Sequence, residues 1–313
     1  MTESARPLGS VIIAAHNEAA VIGRTLTALE PAVSDGSITV IVVPNGCRDD
    51  TASIARSFPG VVVSELEQAS KAAALRAGDA LAASGPRIYL DADVVLTARA
   101  ARDVLRTLAS GAIAGRPPHR FDSSHATFIV RRWYAVRERL PSISHALWGA
   151  GCYALSVEGR DRFDEFPDVL SDDLFIDDLF TRDEITIVPT DPVVVRAPGR
   201  AADLVRILRR SYRSQHEVME GTGRSAAAAD GVGGRVSAGQ RGQLHDLAQL
   251  LRREPWRVAD AGVYVAVVLY SRVRARLSTP TVHWERDESS RAMTERRRGV
   301  SRRRATSRGG SAG

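Results

Sequence analysis

Asp91 and Asp93 stand one residue apart at the end of an apolar run that opens at Ile88. If that run is a buried strand, its pleat sends residues i and i+2 to the same side of the sheet, and both carboxylates leave together. Two anions so close repel unless a cation sits between or beside them. A divalent metal carrying a diphosphate meets that need, because magnesium binds one or two carboxylates and completes its shell with water and substrate phosphates. The competing reading is structural only: a strand followed by a helix, with Asp93 or Thr97 as its N-terminal cap. D-x-D alone does not separate the two, so the surrounding elements have to.

Those elements alternate. Gly9–Ala15, Ile38–Val43, Gly60–Glu65 and Arg87–Asp91 read as short β-rich runs, with helical patterns at Ala19–Leu29, Asp50–Ser57 and Ser70–Ala83 between them. Single helices between strands argue for βαβ units and an α/β fold, a mostly parallel sheet with helices on both faces. Arg99–Ala109 is a further expected helix. Beyond it the alternation stops, and an irregular region rich in Arg, His and aromatics begins at Gly115–Pro118. Glu184–Val188 and Val193–Val195 add strand patterns. The boundaries expected are a catalytic domain over 8–200, a basic helix over 201–220, a flexible Gly/Ala/Ser-rich linker over 221–242, a helical region over 243–285 and a disordered basic tail over 286–313.

Four signals fall at the ends of the first strands, where open α/β sheets bind ligands. They are Ala14-Ala15-His16-Asn17-Glu18, Pro44-Asn45-Gly46-Cys47-Arg48-Asp49-Asp50-Thr51, the helix opening Ser70-Lys71 with Arg76 following, and Leu90-Asp91-Ala92-Asp93. Each member has a bland alternative: Asn17 and Asn45 as turn formers, Glu18 as a first-turn helix charge. In this order, the set over residues 8–196 resembles family 2 glycosyltransferases, which use nucleotide-activated sugars on a GT-A (Rossmann-like) fold. The resemblance implies that Asp91 and Asp93 hold Mg2+ or Mn2+ with the donor diphosphate. It also implies that Ala14, His16, Asn17, Glu18, Asn45, Asp49, Lys71, Arg76, Asp91 and Ala92 surround the nucleotide-sugar. His16 and Pro44 depart from the family's Tyr and Asp, so the base identity stays open.

A fifth signal lies at Ser171-Asp172-Asp173-Leu174. The same family carries an acidic pair here, and the resemblance implies that Asp173, beside Asp172, takes the proton from the acceptor hydroxyl in an inverting transfer. The alternative is an acidic surface patch running on through Asp177 and Asp178. Trp148, Gly149 and Gly151 match the family's acceptor-side loop, where small residues admit substrate and Trp148 either stacks on a sugar or belongs to the core. Arg209 and Arg213 fall where processive relatives contact diphosphate and acceptor, but the accompanying Trp is missing, which argues against processive synthesis.

Composition narrows the rest. Across 313 residues, 44% apolar and 26% charged describe a globular protein. The net charge of +6 equals that of the last 28 residues, where nine arginines face three acids; Lys71 is the sole lysine. Two cysteines, Cys47 and Cys152, are too few for a disulfide framework, and the seven histidines show no pair at zinc-ligand spacing. With a polar Met1–Ser10, this sets the expectation of a cytoplasmic protein. The acceptor implied is a glycan or lipid-linked sugar, in polysaccharide or glycolipid synthesis. The C-terminal region could hold the protein on an anionic membrane, peripherally on the inner face of the plasma membrane, or act only as a solubilising end. Nucleic acid is disfavoured, since no aromatics interleave the arginines. Two rival readings stay open: a catalytically silent, scaffold-like relative at the membrane surface, and a sugar nucleotidyltransferase, although His16-Asn17-Glu18 offers none of the latter's Gly-rich loop.

Overall fold

The computed structural model describes residues 6–169, 171–212 and 235–277. In chain order the first half comprises β1 (Ser10–Ala15), α1 (Ile22–Ser34), β2 (Thr39–Pro44), α2 (Thr51–Arg56), β3 (Val61–Val63), α3 (Lys71–Leu81), β4 (Arg87–Leu90) and α4 (Ala98–Ala109). Then follow β5 (Ala114–Arg116), β6 (His119–Asp122), α5 (Phe128–Arg137), α6 (Pro141–Ser144), β7 (Cys152–Leu155), α7 (Val157–Arg160), α8 (Asp172–Asp178), β8 (Ile185–Ile187) and β9 (Val193–Arg196). The helix α9 spans 201–212, and α10 (Arg235–Arg253) and α11 (Val258–Arg276) complete the described chain.

Seven strands form one sheet in the order β3-β2-β1-β4-β7-β5-β8, while β6 and β9 pair as a separate parallel ribbon. The run β3-β2-β1-β4 is parallel throughout; β7 is antiparallel to both neighbours. Period-two alternation assigns the faces. Val11, Ile13, Val40, Val42, Ile88 and Leu90 pack with Leu26 and Leu29 of α1 and with Val104 and Leu105 of α4. Ile12, Ile41, Val43, Tyr89 and Tyr153 face the other way, onto Leu75 of α3 and Ile176 of α8. A third cluster joins Val130 and Trp133 of α5 to Leu204 and Leu208 of α9 and to Leu250, Ala261 and Tyr264 of the last two helices.

Several expected boundaries move. The helix expected to stop at Leu29 continues through Pro31 to Ser34. The proline sits close to the helix end, and Arg102 donates to its carbonyl at 3.0 Å, anchoring the last turn. The strand expected over Gly60–Glu65 shortens to three residues at the sheet edge. The expected linker is overlapped by α10, which already begins at Arg235; residues 213–234 and the Arg-rich tail lie outside the described residues. No described helix is long and apolar enough to cross a membrane.

Candidate active site

The alternation that buries Tyr89 toward α3 and α8 sends Asp91, two residues on, the same way. Helix α3 opens at Lys71, capped by Ser70 Oγ, which accepts from Ala73 N at 3.1 Å. Helix α8 opens at Asp172. The β4–β7 register sets Tyr153 opposite Tyr89, with rings stacked at 5.0 Å. These placements make one charged hub. Lys71 Nζ stands 2.8 Å from Asp91 Oδ1 and 2.8 Å from Asp172 Oδ1, and Tyr153 donates its hydroxyl to Asp172 Oδ2 at 2.8 Å. Burial works against the Lys71 charge, but the two carboxylates outweigh it and hold the amine protonated well above its ordinary range. Burial likewise opposes ionisation of Asp91; Lys71 and then Arg210 prevail and hold it below the usual carboxylate value.

Asp93 lies within a turn closed by Val94 N donating to Asp91 O, and the residue is exposed on the cavity. The capping role belongs to Thr97, whose hydroxyl accepts from Ala100 N at 3.1 Å, so the structural reading of Asp93 as a cap falls away. Lys71 occupies Asp91 Oδ1. No group of three or more His, Cys, Asp and Glu is gathered for a metal among the described residues. A cation that takes one carboxylate and fills its shell with substrate phosphates and water still fits such a donor set.

Asp173 is held separately. Its Oδ2 accepts from Gly149 N at 2.8 Å, and its Oδ1 accepts from Ser171 Oγ at 2.6 Å and Leu174 N at 2.9 Å. Burial, reinforced by the neighbouring Asp172, raises its pKa above the ordinary carboxylate value despite these donors and Lys71. Gly149 and Gly151 both adopt left-handed backbone, at φ +77° and +62°. A Cβ on Gly151 would approach Val94 Cγ2 to 2.6 Å and Asp91 Oδ2 to 3.0 Å, so only glycine lets this loop pass the hub. Beneath it lies Arg116, fully buried, donating to the carbonyls of Ala146, Pro117 and Ser144. Burial lowers its pKa to about 10.

Asp91, Asp93, Lys71, Asp172, Asp173, Ala14, Trp148, Gly149 and Gly151 all line one cavity of about 990 Å³. The other expected nucleotide residues form an adjoining corner at the ends of β1 and β2. Asn17 takes φ +52°, tolerable for Asn, and its Oδ1 accepts from Arg48 N at 2.6 Å. His16 Nδ1 lies 2.5 Å from Asn45 O; Glu18 N donates to Thr51 Oγ1 at 2.7 Å, and Ala19 N to Asp49 Oδ2 at 3.1 Å. Asn45 is buried, its amide donating to Ala15 O at 3.0 Å; its Oδ1 has no hydrogen-bond partner among the described residues. Two expectations are displaced. Arg76 points away from the cavity, onto Phe166 O at 2.6 Å and Asp168 Oδ1 at 3.2 Å, and Ala92 is buried with its carbonyl bonded to Thr25 Oγ1. Arg209 lines a second groove with Arg206, Ile129, Tyr270 and Arg274, whereas its neighbour Arg210 lines the main cavity. Arg213 lies outside the described residues. Tyr153, Arg116 and Arg210 were not foreseen. Tyr153 is readable only once the β4–β7 register is known, and nothing in the Arg209-Arg210 pair says which faces inward.

Residues 10–151 match the family model of glycosyl transferase family 2. Among solved structures, mannosyltransferase PcManGT from Pyrobaculum calidifontis, in complex with GDP-Man and Mn2+, is similar over 88% of this chain and 88% of its own, at 20% identity and a TM-score of 0.53. Glucosyl-3-phosphoglycerate synthase from Mycobacterium tuberculosis, in complex with phosphoglyceric acid, is similar over 67% of this chain and 78% of its own, at 21% identity and a TM-score of 0.50. At such identities the likeness is one of fold. No protein of curated function matches the chain. With β1, β2, α3 and β4 bringing their signals together inside the matched span, residues 10–151 form a glycosyl transferase family 2 region, and the chain shares the GT-A fold of these solved glycosyltransferases.

Proposed function

We propose that the protein transfers a sugar, with inversion at the anomeric carbon, from a nucleotide-sugar to a hydroxyl of a glycan or lipid-linked acceptor. The observation that carries this reading is the opening of Asp93 and Asp173 onto the same cavity, with different surroundings suited to different work. Asp93, aided by Asp91, holds a divalent cation with the donor diphosphate. When bound there, Mg2+ or Mn2+ would supply the positive charge that offsets charge growing on the leaving diphosphate. Lys71 keeps Asp91 ionised and fixed to α8, which in turn sets Asp173. The acceptor hydroxyl attacks the anomeric carbon and its proton passes to Asp173. As the new C–O bond forms, the bond to phosphate breaks and its electron pair leaves with the nucleoside diphosphate. The corner of His16, Asn17, Glu18, Asn45 and Asp49 encloses base and ribose.

Calorimetric titration with a panel of nucleotide-sugars, beginning with GDP-mannose, tests the donor half. Saturable binding of at least one is expected, strengthened by Mn2+, and Asp93→Ala should remove the metal dependence. Failure of every nucleotide-sugar to bind would favour a catalytically silent relative.

We also propose that α11 rests on an anionic bilayer. Leu269, Tyr270, Val273 and Leu277 are exposed along it, Trp256 precedes it, and Phe128 and Ile129 of α5 are exposed as well. Arg206, Arg209 and Arg274 surround the adjacent groove, supplying the positive charge that an acidic headgroup layer attracts. Sedimentation with vesicles containing phosphatidylglycerol should bring the protein down, and vesicles of phosphatidylcholine alone much less. Replacing Leu269, Tyr270 and Val273 by Ser should lower the bound fraction severalfold; unchanged binding would exclude this face.

A further inference from the structure

The cavity continues past Asp173 into a lobe between α5 and α11. Arg137, Tyr212, Tyr264 and Arg272 line this lobe. The Arg137 guanidinium lies 5.2 Å from the rings of both Trp133 and Trp148 and 5.7 Å from that of Phe121. The Arg272 guanidinium lies 5.3 Å from the ring of Tyr212. Neither arginine forms an ion pair with a carboxylate among the described residues. Arg182, on the same cavity wall, contrasts with them: it is engaged by Asp177 at 3.3 Å.

The four groups share one neighbourhood. Burial raises the pKa of Tyr212 and of Tyr264, and Arg137 and Arg272 both act on each hydroxyl in the opposite direction. The lobe also adjoins the base. A Cβ on Gly149 would stand 3.0 Å from Arg137 Nη2, and the N–H of that same Gly149 donates to Asp173. A guanidinium stacked on rings keeps its N–H edge for an in-plane acceptor, and the partner that best matches two such edges is an oxyanion with several oxygens. Both arginines are half-buried, and an anionic ligand on the cavity would supply the counter-charge that no ion pair gives them among the described residues.

We propose that the acceptor carries a phosphate group, bound by Arg137 and Arg272 with the hydroxyls of Tyr212 and Tyr264, while its attacking hydroxyl lies at Asp173. This rests on the glycosyl-transfer reading for the identity of the acceptor, but the phosphate subsite can be assayed alone. The shared chemistry is a phosphate monoester, whose source is either a lipid or a soluble sugar phosphate.

The full chain is titrated in EDTA, without donor, with dodecyl phosphate, glucose 6-phosphate and, as a neutral control, dodecyl maltoside. Saturable binding of at least one phosphate is expected, tighter than the control. A preference for dodecyl phosphate indicates a lipid source and a preference for glucose 6-phosphate a soluble one. Arg272→Gln should weaken that binding about tenfold or more, the scale of a lost charge-assisted contact. Arg272→Lys should recover part of it, and nucleotide-sugar affinity should not move. Arg137→Gln should act in the same direction; because three rings clamp that side chain, Tyr212→Phe is the companion variant if Arg137→Gln fails to fold. Absence of saturable phosphate binding to the unaltered protein, or affinity unchanged in Arg272→Gln, overturns the proposal. Since neither donor nor metal enters the assay, failure here leaves the transfer reading intact, and failure of donor binding leaves this result standing.

Discussion

Replacing Asp173 by Asn is expected to lower turnover by about two to four orders of magnitude, the range for removal of a positioned general base, with nucleotide-sugar affinity nearly unchanged. The oxygens of Asp173 accept from Gly149, Ser171 and Leu174, which orients the carboxylate without neutralising it. An amide nitrogen in place of Oδ2 would face the Gly149 N–H donor to donor, so the melting temperature must be followed alongside turnover. Retained folding with lost turnover isolates the chemical role; near-normal turnover would refute it. The pH profile supplies a second reading. Burial and Asp172 raise the Asp173 pKa, so turnover should fall on the acid side from a pH above the ordinary carboxylate value of about 4. Asp172→Asn, which removes the neighbouring charge, should move that acid limb to lower pH.

Lys71→Met should be the most destabilising single change at the site. It leaves Asp91 and Asp172, each 2.8 Å from the lost amine, without their cation. Removing one partner of a buried pair costs roughly 3–5 kcal/mol. The Asp172 side chain is 9% exposed and the Asp91 side chain 42%. Water therefore screens half the hub, which favours the lower end of that range. Denaturant unfolding at several pH values checks both size and sign. The folded pKa of Asp91 is depressed, so its contribution is present above the unfolded carboxylate value and is lost as pH falls through the folded one. Lys71 is raised; its share is complete below its unfolded value of about 10 and is lost only at higher pH. The deficit of the variant should therefore be largest near neutrality and should narrow toward pH 4, as the stranded acids take up protons. A deficit independent of pH would mean that packing, not charge, is what Lys71 contributes.

Legibility from sequence followed the physical origin of each element. Strands β1, β2 and β4 are continuous apolar runs with turn residues at their ends, and the acids and amides at those ends point to ligand chemistry before any coordinates exist. Asp173 drew notice for the same reason, as an acidic pair ahead of Leu174-Phe175-Ile176, and the structure sets it on the cavity wall. What stayed hidden depends on long-range pairing. Cys152–Leu155 becomes a strand because β4 and β5 flank it, and only then does Tyr153 reach Asp172. The pattern Phe128–Arg137 reads as an irregular basic stretch until α11 covers Trp133, whose ring stacks at 5.4 Å on that of Tyr264. Arg76 looked like a nucleotide contact by position alone; the loop carrying Phe166 and Asp168 claims it instead. Side-chain direction within Arg209-Arg210 depends on how α9 is rotated, which adjacent like residues do not encode.

The glycine loop ahead of β7 has a mechanical meaning. Gly149 gives its N–H to Asp173, and two residues later Gly151 receives the N–H of Asp91 at 2.8 Å. A three-residue stretch of main chain thus acts as a gauge block between Asp173, the proposed base, and Asp91, proposed to stand beside the diphosphate. With both glycines in backbone conformations that other residues resist, the gauge has little slack. Motion of the outer helices can widen or narrow the acceptor lobe while the interval between the two acids stays fixed. Under the proposed reading, acceptor choice can drift with α9, α10 and α11 without retuning the transfer step.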